Sequence, residues 1–362
     1  MDEHNLTPKD VTVAPVTKQI TMSYGRFNNP VQATLTGILD IFRRQKLASN
    51  LKENDRLDGK VCLVTGSNCG LGFAIAAEMA RRGASLIMAC RNGIPEAGKK
   101  LMSLTGSDAI EMVPLDLTKL GSISQCCRDL AERNIQIDIM VCNAGVAPPG
   151  SKITESGQDE IFMVNYLSKF IVLNRLLRNG TIRNETFAKN SSPNQIPRII
   201  FISSDSHQNA SPIDFEEFGE YRPYGIRKAM NNYSYYKLVM NTFATELSRR
   251  LNPAGKVNVS VNVICPGPVN SNISRHAPRW LRVILKFIFT LFFQSPDKAA
   301  KPVIYLAASE EMKGTTNQYF HMFNPKKMDP KVYDEGEGQK LWDYSLDLCK
   351  ELDPGLKEMF EN

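Results

Sequence analysis

Histidine is scarce in this chain, with four in 362 residues, and none of the eight cysteines forms a Cys-x-x-Cys pair. The ligand spacing that holds zinc is therefore missing, and no metal is expected. A charged start, an apolar core and a cleavage site do not follow one another near the N-terminus, so a secretory leader is not expected either. Neither sign of charge dominates: 44 Lys and Arg against 38 Asp and Glu leave a net +6. That balance suits an anionic ligand and is too diffuse to argue for nucleic acid. Internal repeats are absent. Cys62, Cys90, Cys142 and Cys265 fall in or beside apolar runs, where a free thiol behaves as a small hydrophobe. Reduced core thiols point to an intracellular protein, either cytoplasmic or held peripherally on the cytoplasmic face of a membrane. On that reading the Asn-x-Ser/Thr sequons, such as Asn179, Asn184 and Asn190, are chance occurrences.

What is present is a regular alternation. Short apolar runs at 61–65, 85–90, 110–115, 138–142, 198–203, 257–264 and 318–322 read as buried strands. Helical patterns lie between them near 71–82, 94–104, 120–133, 156–178, 232–251 and 296–308. Strand and helix in alternation predict an α/β fold: a doubly wound, Rossmann-like parallel sheet of about seven strands in a single catalytic domain. The expected boundaries are an N-terminal extension over 1–57, the dinucleotide-binding catalytic domain over 58–325 and a tail with a helix over 326–362. Residues 1 to about 30 read as a flexible arm, and Val31 to Leu51 as a helix. That helix either packs on the main domain or serves membrane contact or a homodimer. The polar segment 179–197 reads as a surface loop.

The chain is organised around Lys60 to Gly72, Lys-Val-Cys-Leu-Val-Thr-Gly-Ser-Asn-Cys-Gly-Leu-Gly. A strand, a glycine-rich turn and a helix in this order cradle a dinucleotide. Gly66 allows the tight turn, Gly70 lets the backbone approach a pyrophosphate, and Gly72 lets the helix pack closely. The helix start offers N–H groups and the positive end of a dipole to the phosphates. The second strand ends Ala89-Cys90-Arg91. A carboxylate at this point would hold the ribose 2′-OH of NAD, whereas Arg91 can fork onto the 2′-phosphate of NADP. NADP(H) is therefore favoured over NAD(H). Asp116 after the third strand is placed either to accept from the adenine amino group or to cap the helix near Lys119.

Asn143-Ala144-Gly145 follows the fourth strand, and Ser203-Ser204 the fifth. The next helix carries Tyr233 and Lys237, four residues apart and so on one face. An ammonium about 4 Å from a phenol contributes roughly 4 kcal/mol at an effective dielectric of about 20. That is up to about three pK units in favour of phenolate. Alone, such a pair is common by chance.

In this order, Thr-Gly-x-x-x-Gly-x-Gly, Asn-Ala-Gly, an Asn in the helix after the fourth strand, Ser and Tyr-x-x-x-Lys resemble the short-chain dehydrogenase/reductase family over about residues 58–325. Ala-Cys-Arg-Asn at 89–92 and Val-Asn-Tyr-Leu-Ser-Lys-Phe at 164–170 are similar to the retinol dehydrogenase branch, which also holds the WW-domain-containing oxidoreductase. The resemblance implies a catalytic set of Asn165, Ser204, Tyr233 and Lys237. Tyr233 would exchange the substrate proton, Ser204 would bind the carbonyl oxygen, Lys237 would serve both the tyrosine and the nicotinamide ribose, and Asn165 would hold a relay water. It further implies cofactor contacts from Gly66, Ser67, Asn68, Gly70, Leu71, Gly72, Arg91, Asp116, Leu117, Asn143, Ala144, Gly145, Tyr233, Lys237, Pro266, Gly267, Val269 and Ser271. Tyr166, Ser168 and Lys169 depart from the usual His, Gly and His of this branch, and Ser271 stands where threonine is usual.

Trp280 to Phe293 is the most apolar stretch, with Arg282, Lys286, Thr290 and Gln294 as a stripe at four-residue spacing. A helix of fourteen residues is roughly 21 Å long, short of a ~30 Å hydrocarbon core. It reads as a lid over an apolar site or as an interfacial segment. The expectation is an NADP(H)-dependent oxidoreductase interconverting a carbonyl and an alcohol on a small lipophilic substrate. Its rivals are a nucleotide-binding regulatory or scaffold protein with little turnover, and an epimerase or dehydratase on a related fold. The latter usually has one residue fewer between the first two glycines.

Overall fold

Strand β1, Val61–Thr65, shows why the sheet forms. Cys62 and Val64 pack into one core layer and Leu63 into the other, so a strand buried on both faces reads as a continuous apolar run. The same alternation recurs in β5, Arg198–Ile202, where Ile199 and Phe201 face one layer and Ile200 and Ile202 the other. The computed structural model describes residues 51–188, 195–269 and 294–361. The arm at 1–30, nearly all of the 31–51 helix, Ser271 and the apolar stretch 280–293 lie outside them.

Chain order is β1, α1 (Gly70–Arg81), β2 (Ser85–Cys90), α2 (Glu96–Thr105), β3 (Ile110–Pro114), α3 (Leu120–Glu132) and β4 (Ile139–Cys142). Helix α4 comprises Glu160–Phe162, a π turn over Met163–Leu167, and Ser168–Arg178. Then follow β5, α5 (Ile226–Leu251), β6 (Ser260–Cys265), α6 (Pro296–Ala308), β7 (Tyr319–His321), β8 (Asn324–Lys326), α7 (Glu335–Leu352) and α8 (Pro354–Glu361). The sheet order is β3-β2-β1-β4-β5-β6-β7-β8. All pairings are parallel except β7 with β8. The expected doubly wound domain is present, with one more strand than the seven anticipated.

Strand order reverses between β1 and β4, which opens a crevice at the carboxyl ends of these strands. Helices α1, α2 and α6 cover one face; α3, α4 and α5 cover the other. The tail is built into that second layer. Trp342 of α7 is 2% exposed and lies 5.1 Å, ring to ring, from Phe170 and 6.0 Å from Phe243.

The segment after α4 is also better anchored than a polar surface loop. Asn184 is fully buried, its Oδ1 accepts from the N–H groups of Thr186, Phe187 and Ala188, and its Nδ2 donates to Leu177 O and Ile182 O. Phe187 stacks on Trp342 at 6.0 Å and 12°. Among the described residues, no helix is long and apolar enough to cross a membrane.

Candidate active site

The turn after β1 is shaped by two glycines in the left-handed region, Gly66 at φ +66° and Gly70 at φ +59°. Its third glycine serves close approach: a side chain at Gly72 would collide with the Gly66 carbonyl oxygen and with Asn143 Nδ2. Gly72 thus packs turn against turn, in addition to bringing the helix to the sheet. Helix α1 has Cys69 at its N-cap, with no side-chain cap bond, so its first N–H groups stay available to an anion. Asn68 Nδ2 donates to Asn92 Oδ1 at 2.6 Å, joining the turn to the end of β2. Ser67 is buried and donates to Val64 O at 2.9 Å, which leaves only its main chain for a ligand. Leu71 packs into the core layer behind α1. A glycine-lined turn, an uncapped helix start and a crevice at the topological switch fit a dinucleotide.

Asn143 holds this cradle from the β4 side. Its Nδ2 donates to Thr65 O at 2.9 Å and Gly66 O at 3.2 Å, and its N–H donates to Thr65 Oγ1 at 3.0 Å. Its side chain therefore supports the turn, and Ala144 and exposed Gly145 continue the wall. Arg91 sits at the outer end with its side chain 45% exposed, Nη1 lying 3.8 Å from Glu160 Oε1. Asp116 Oδ1 accepts from Thr118 N and Oγ1 at 3.0 and 2.7 Å, so the carboxylate closes the turn leading into α3. Leu117 beside it is 7% exposed. Pro266 is buried at the end of β6. Gly267, at φ +80°, has Gln294 Nε2 and Met322 Sδ both 3.0 Å from where a Cβ would stand. Val269 bridges to Gln294.

The candidate acid–base groups meet between these walls. Helix α5 starts at Ile226, six residues earlier than its periodicity predicts. It carries Tyr233, half-buried, with Lys237 Nζ 5.5 Å from the ring centroid. Lys237 is 4% exposed and donates to Ile202 O at 2.8 Å. Burial lowers it to about 8, opposed by the nearby Cys265 thiol. Burial also raises the Tyr233 phenol above the ordinary tyrosine range, Cys265 adds to the rise, and the neighbouring Ser204 hydroxyl pulls the other way. This departs from the depressed phenol that the Tyr-x-x-x-Lys spacing suggests. Without a ligand, desolvation outweighs an ammonium that lies over the ring and is itself bound to a carbonyl. Ser203 is buried and donates to Asn241 Oδ1 at 2.7 Å. Asn165, in the π turn, is fully buried; its Oδ1 accepts from Val146 N and its Nδ2 donates to Val146 O, both at 2.8 Å.

The short chain dehydrogenase model matches residues 60–213. Retinol dehydrogenase 14 of Mus musculus is 35% identical over 303 residues, covering 80% of this chain and 85% of its own. The chain belongs to the short-chain dehydrogenase family. Retinol dehydrogenase 13 of Homo sapiens is 34% identical over 309 residues, covering 83% and 88%. Among solved structures, 3-ketoacyl-(acyl-carrier-protein) reductase of Brucella melitensis, in complex with NADH, shares the fold. Its TM-score is 0.53 at 19% identity, over 73% of this chain and 97% of that one. The resemblance to retinol dehydrogenases read from residues 89–92 and 164–170 is thereby borne out, and the protein is an oxidoreductase by family.

Next to Ser204 in sequence, this short-chain dehydrogenase has a buried charge cluster that its sequence motifs did not announce. Asp205 Oδ2 lies 2.7 Å from both His321 Nδ1 and Lys326 Nζ, and Oδ1 accepts from the Tyr319 hydroxyl. Burial favours the neutral acid, yet His321 and Lys326 hold Asp205 below the usual carboxylate range. Burial likewise opposes the imidazolium, but Cys265 and Asp205 lift His321 to about 10. Asp205, Cys265 and His321 bring ligand-type atoms within 4.8 Å of one another. Both Asp205 oxygens are already engaged, and the Lys326 ammonium opposes a second cation. The position of Asp205 right after Ser204 was the available signal; His321 and Lys326 come from strands more than a hundred residues away.

Proposed function

We propose that this chain is an NADP(H)-dependent oxidoreductase that interconverts a carbonyl and an alcohol on a small lipophilic substrate. The observation that carries this reading is continuity: Asn143 ties the glycine turn to the loop at 144–146, and Gly145 borders both Asn165 Oδ1 and Lys237 Nζ, beside Tyr233 and Ser204. Hydride transfer is the chemistry that a bound nicotinamide supplies. The glycine turn and the start of α1 would hold the pyrophosphate, and Arg91 the 2′-phosphate. Tyr233, protonated at neutral pH, acts as the acid in reduction, while the Ser204 hydroxyl orients the carbonyl oxygen. Retinol dehydrogenases among the relatives support an apolar substrate, as does the greasy stretch 280–293.

Arg91→Glu tests the cofactor assignment. Removing a charge-assisted contact and adding repulsion should weaken NADPH binding by at least ~2 kcal/mol, roughly thirtyfold, and NADH binding far less. Equal losses in a fluorescence titration of both cofactors would contradict it.

A further inference from the structure

Lys169 is a lysine only 3% exposed, and it is not used by the acid–base scheme above. Its Nζ donates to Val164 O at 2.7 Å and to Asn165 O at 3.2 Å. Both carbonyls belong to the π turn, where the widened helix displaces main-chain acceptors from their ordinary partners. Ser168 Oγ also donates to Val164 O, at 3.3 Å. Packing alone would be served at lower cost by an apolar side chain, because taking an ammonium out of water is expensive.

Asn165 links Lys169 to the reacting groups. Its side chain grips both main-chain groups of Val146. In the adjoining loop, a Cβ on Gly145 would stand 3.2 Å from Asn165 Oδ1 and 3.9 Å from Lys237 Nζ. The titratable groups facing Lys169 are Lys237 from α5 and Cys142 at the end of β4.

We propose that Lys169 is a positioning residue of the acid–base centre, tying down the Asn165 main chain and adding a second cation behind Lys237 and Tyr233. The proposal rests on the oxidoreductase reading. In reduction Tyr233 gives up its proton, so a nearby cation stabilises the phenolate that forms. Burial and the Lys237 charge lower Lys169 to about 7, with Cys142 opposing. The second cation is therefore present below about pH 7 and fades above it.

Two readouts test this. In Lys169→Gln, which keeps a donor for Asn165 O, kcat for NADPH-driven reduction of decanal should fall about three- to tenfold at pH 6. It should approach wild type by pH 8.5. Lys169→Met should show the same pH dependence with a lower Tm. A loss equal at all pH values would mean that Lys169 is only structural and would overturn the proposal. The second readout needs no turnover: with lysine enriched in ¹³C at Cε, NMR should show one amine titrating near 7 that is absent in Lys169→Gln. Its midpoint should rise when Lys237→Met removes the neighbouring cation. If no resonance that Lys169→Gln removes titrates below pH 9, or its midpoint stays put, the proposal fails even where the enzyme reduces decanal. If wild type reduces no aldehyde while the resonance behaves as described, the fault lies with the oxidoreductase reading instead.

Discussion

His321 keeps a charge that a buried histidine ordinarily sheds, and the sign of its effect on stability can be worked out. Its pKa rises from 6.5 to about 10 on folding, so the contribution is fully present below about pH 6.5 and lost as pH climbs towards 10. Asp205 runs the other way: its lowered carboxyl contributes above the unfolded value near 4, and that part is lost as pH falls through the folded value. His321→Gln should therefore destabilise most between about pH 4 and 6.5 and least near pH 10. Thermal melts of both proteins across this range check it. A gap that widens with pH would contradict the charged imidazole. At the same scale, Tyr233 shows what spacing alone conveys. The helix pitch places Lys237 on its face, but burial, which comes from the whole fold, decides in which direction the phenol moves.

Elements were legible where their pattern is long. Helix α6 falls where predicted, at Pro296–Ala308, opened by Ser295 accepting from Lys298 N. Strands β1 and β2 also coincide with their apolar runs. Strand β8 has three residues, one of them Pro325, and forms through its antiparallel pairing with β7, which no local pattern reveals. The π turn was hidden for a related reason: a helix keeps its apolar face through one widened turn, so periodicity does not register it. Among the candidate site residues, the glycine turn and the Tyr233–Lys237 face were readable. Tertiary contacts alone reveal the use of Asn143 as a brace, whereas Asp116 closes its turn through the local Thr118, close to the helix-cap role read from the sequence.

Helix α7, a tail helix expected from the sequence and capped locally by Asp334, finds its place in the core through tertiary contacts. The Tyr166 hydroxyl, next to Asn165, bonds to Ser345 Oγ, and Ser345 already donates to Leu341 O at 2.7 Å, so Tyr166 is the donor. Arg250 lies 4.3 Å above the Trp342 ring. Trp342→Ala should cost about 3–5 kcal/mol in urea unfolding. A cost under ~1 kcal/mol would mean that residues 326–362 are an appendage rather than part of the core.

Over the whole molecule, the topological switch between β1 and β4 brings the glycine turn to Asn143, and helices α4 and α5 bring Asn165, Tyr233 and Lys237 to the same end of the sheet. A nucleotide-binding scaffold would need the first half of this arrangement and an enzyme needs both. Turnover in Tyr233→Phe separates them, because the substitution keeps ring, helix and packing and removes only the hydroxyl. With NADPH and an apolar aldehyde that wild type reduces, followed by the loss of NADPH absorbance, kcat should fall by at least ~10²–10⁴-fold. NADPH affinity should change little. Near-wild-type turnover in Tyr233→Phe would contradict the account.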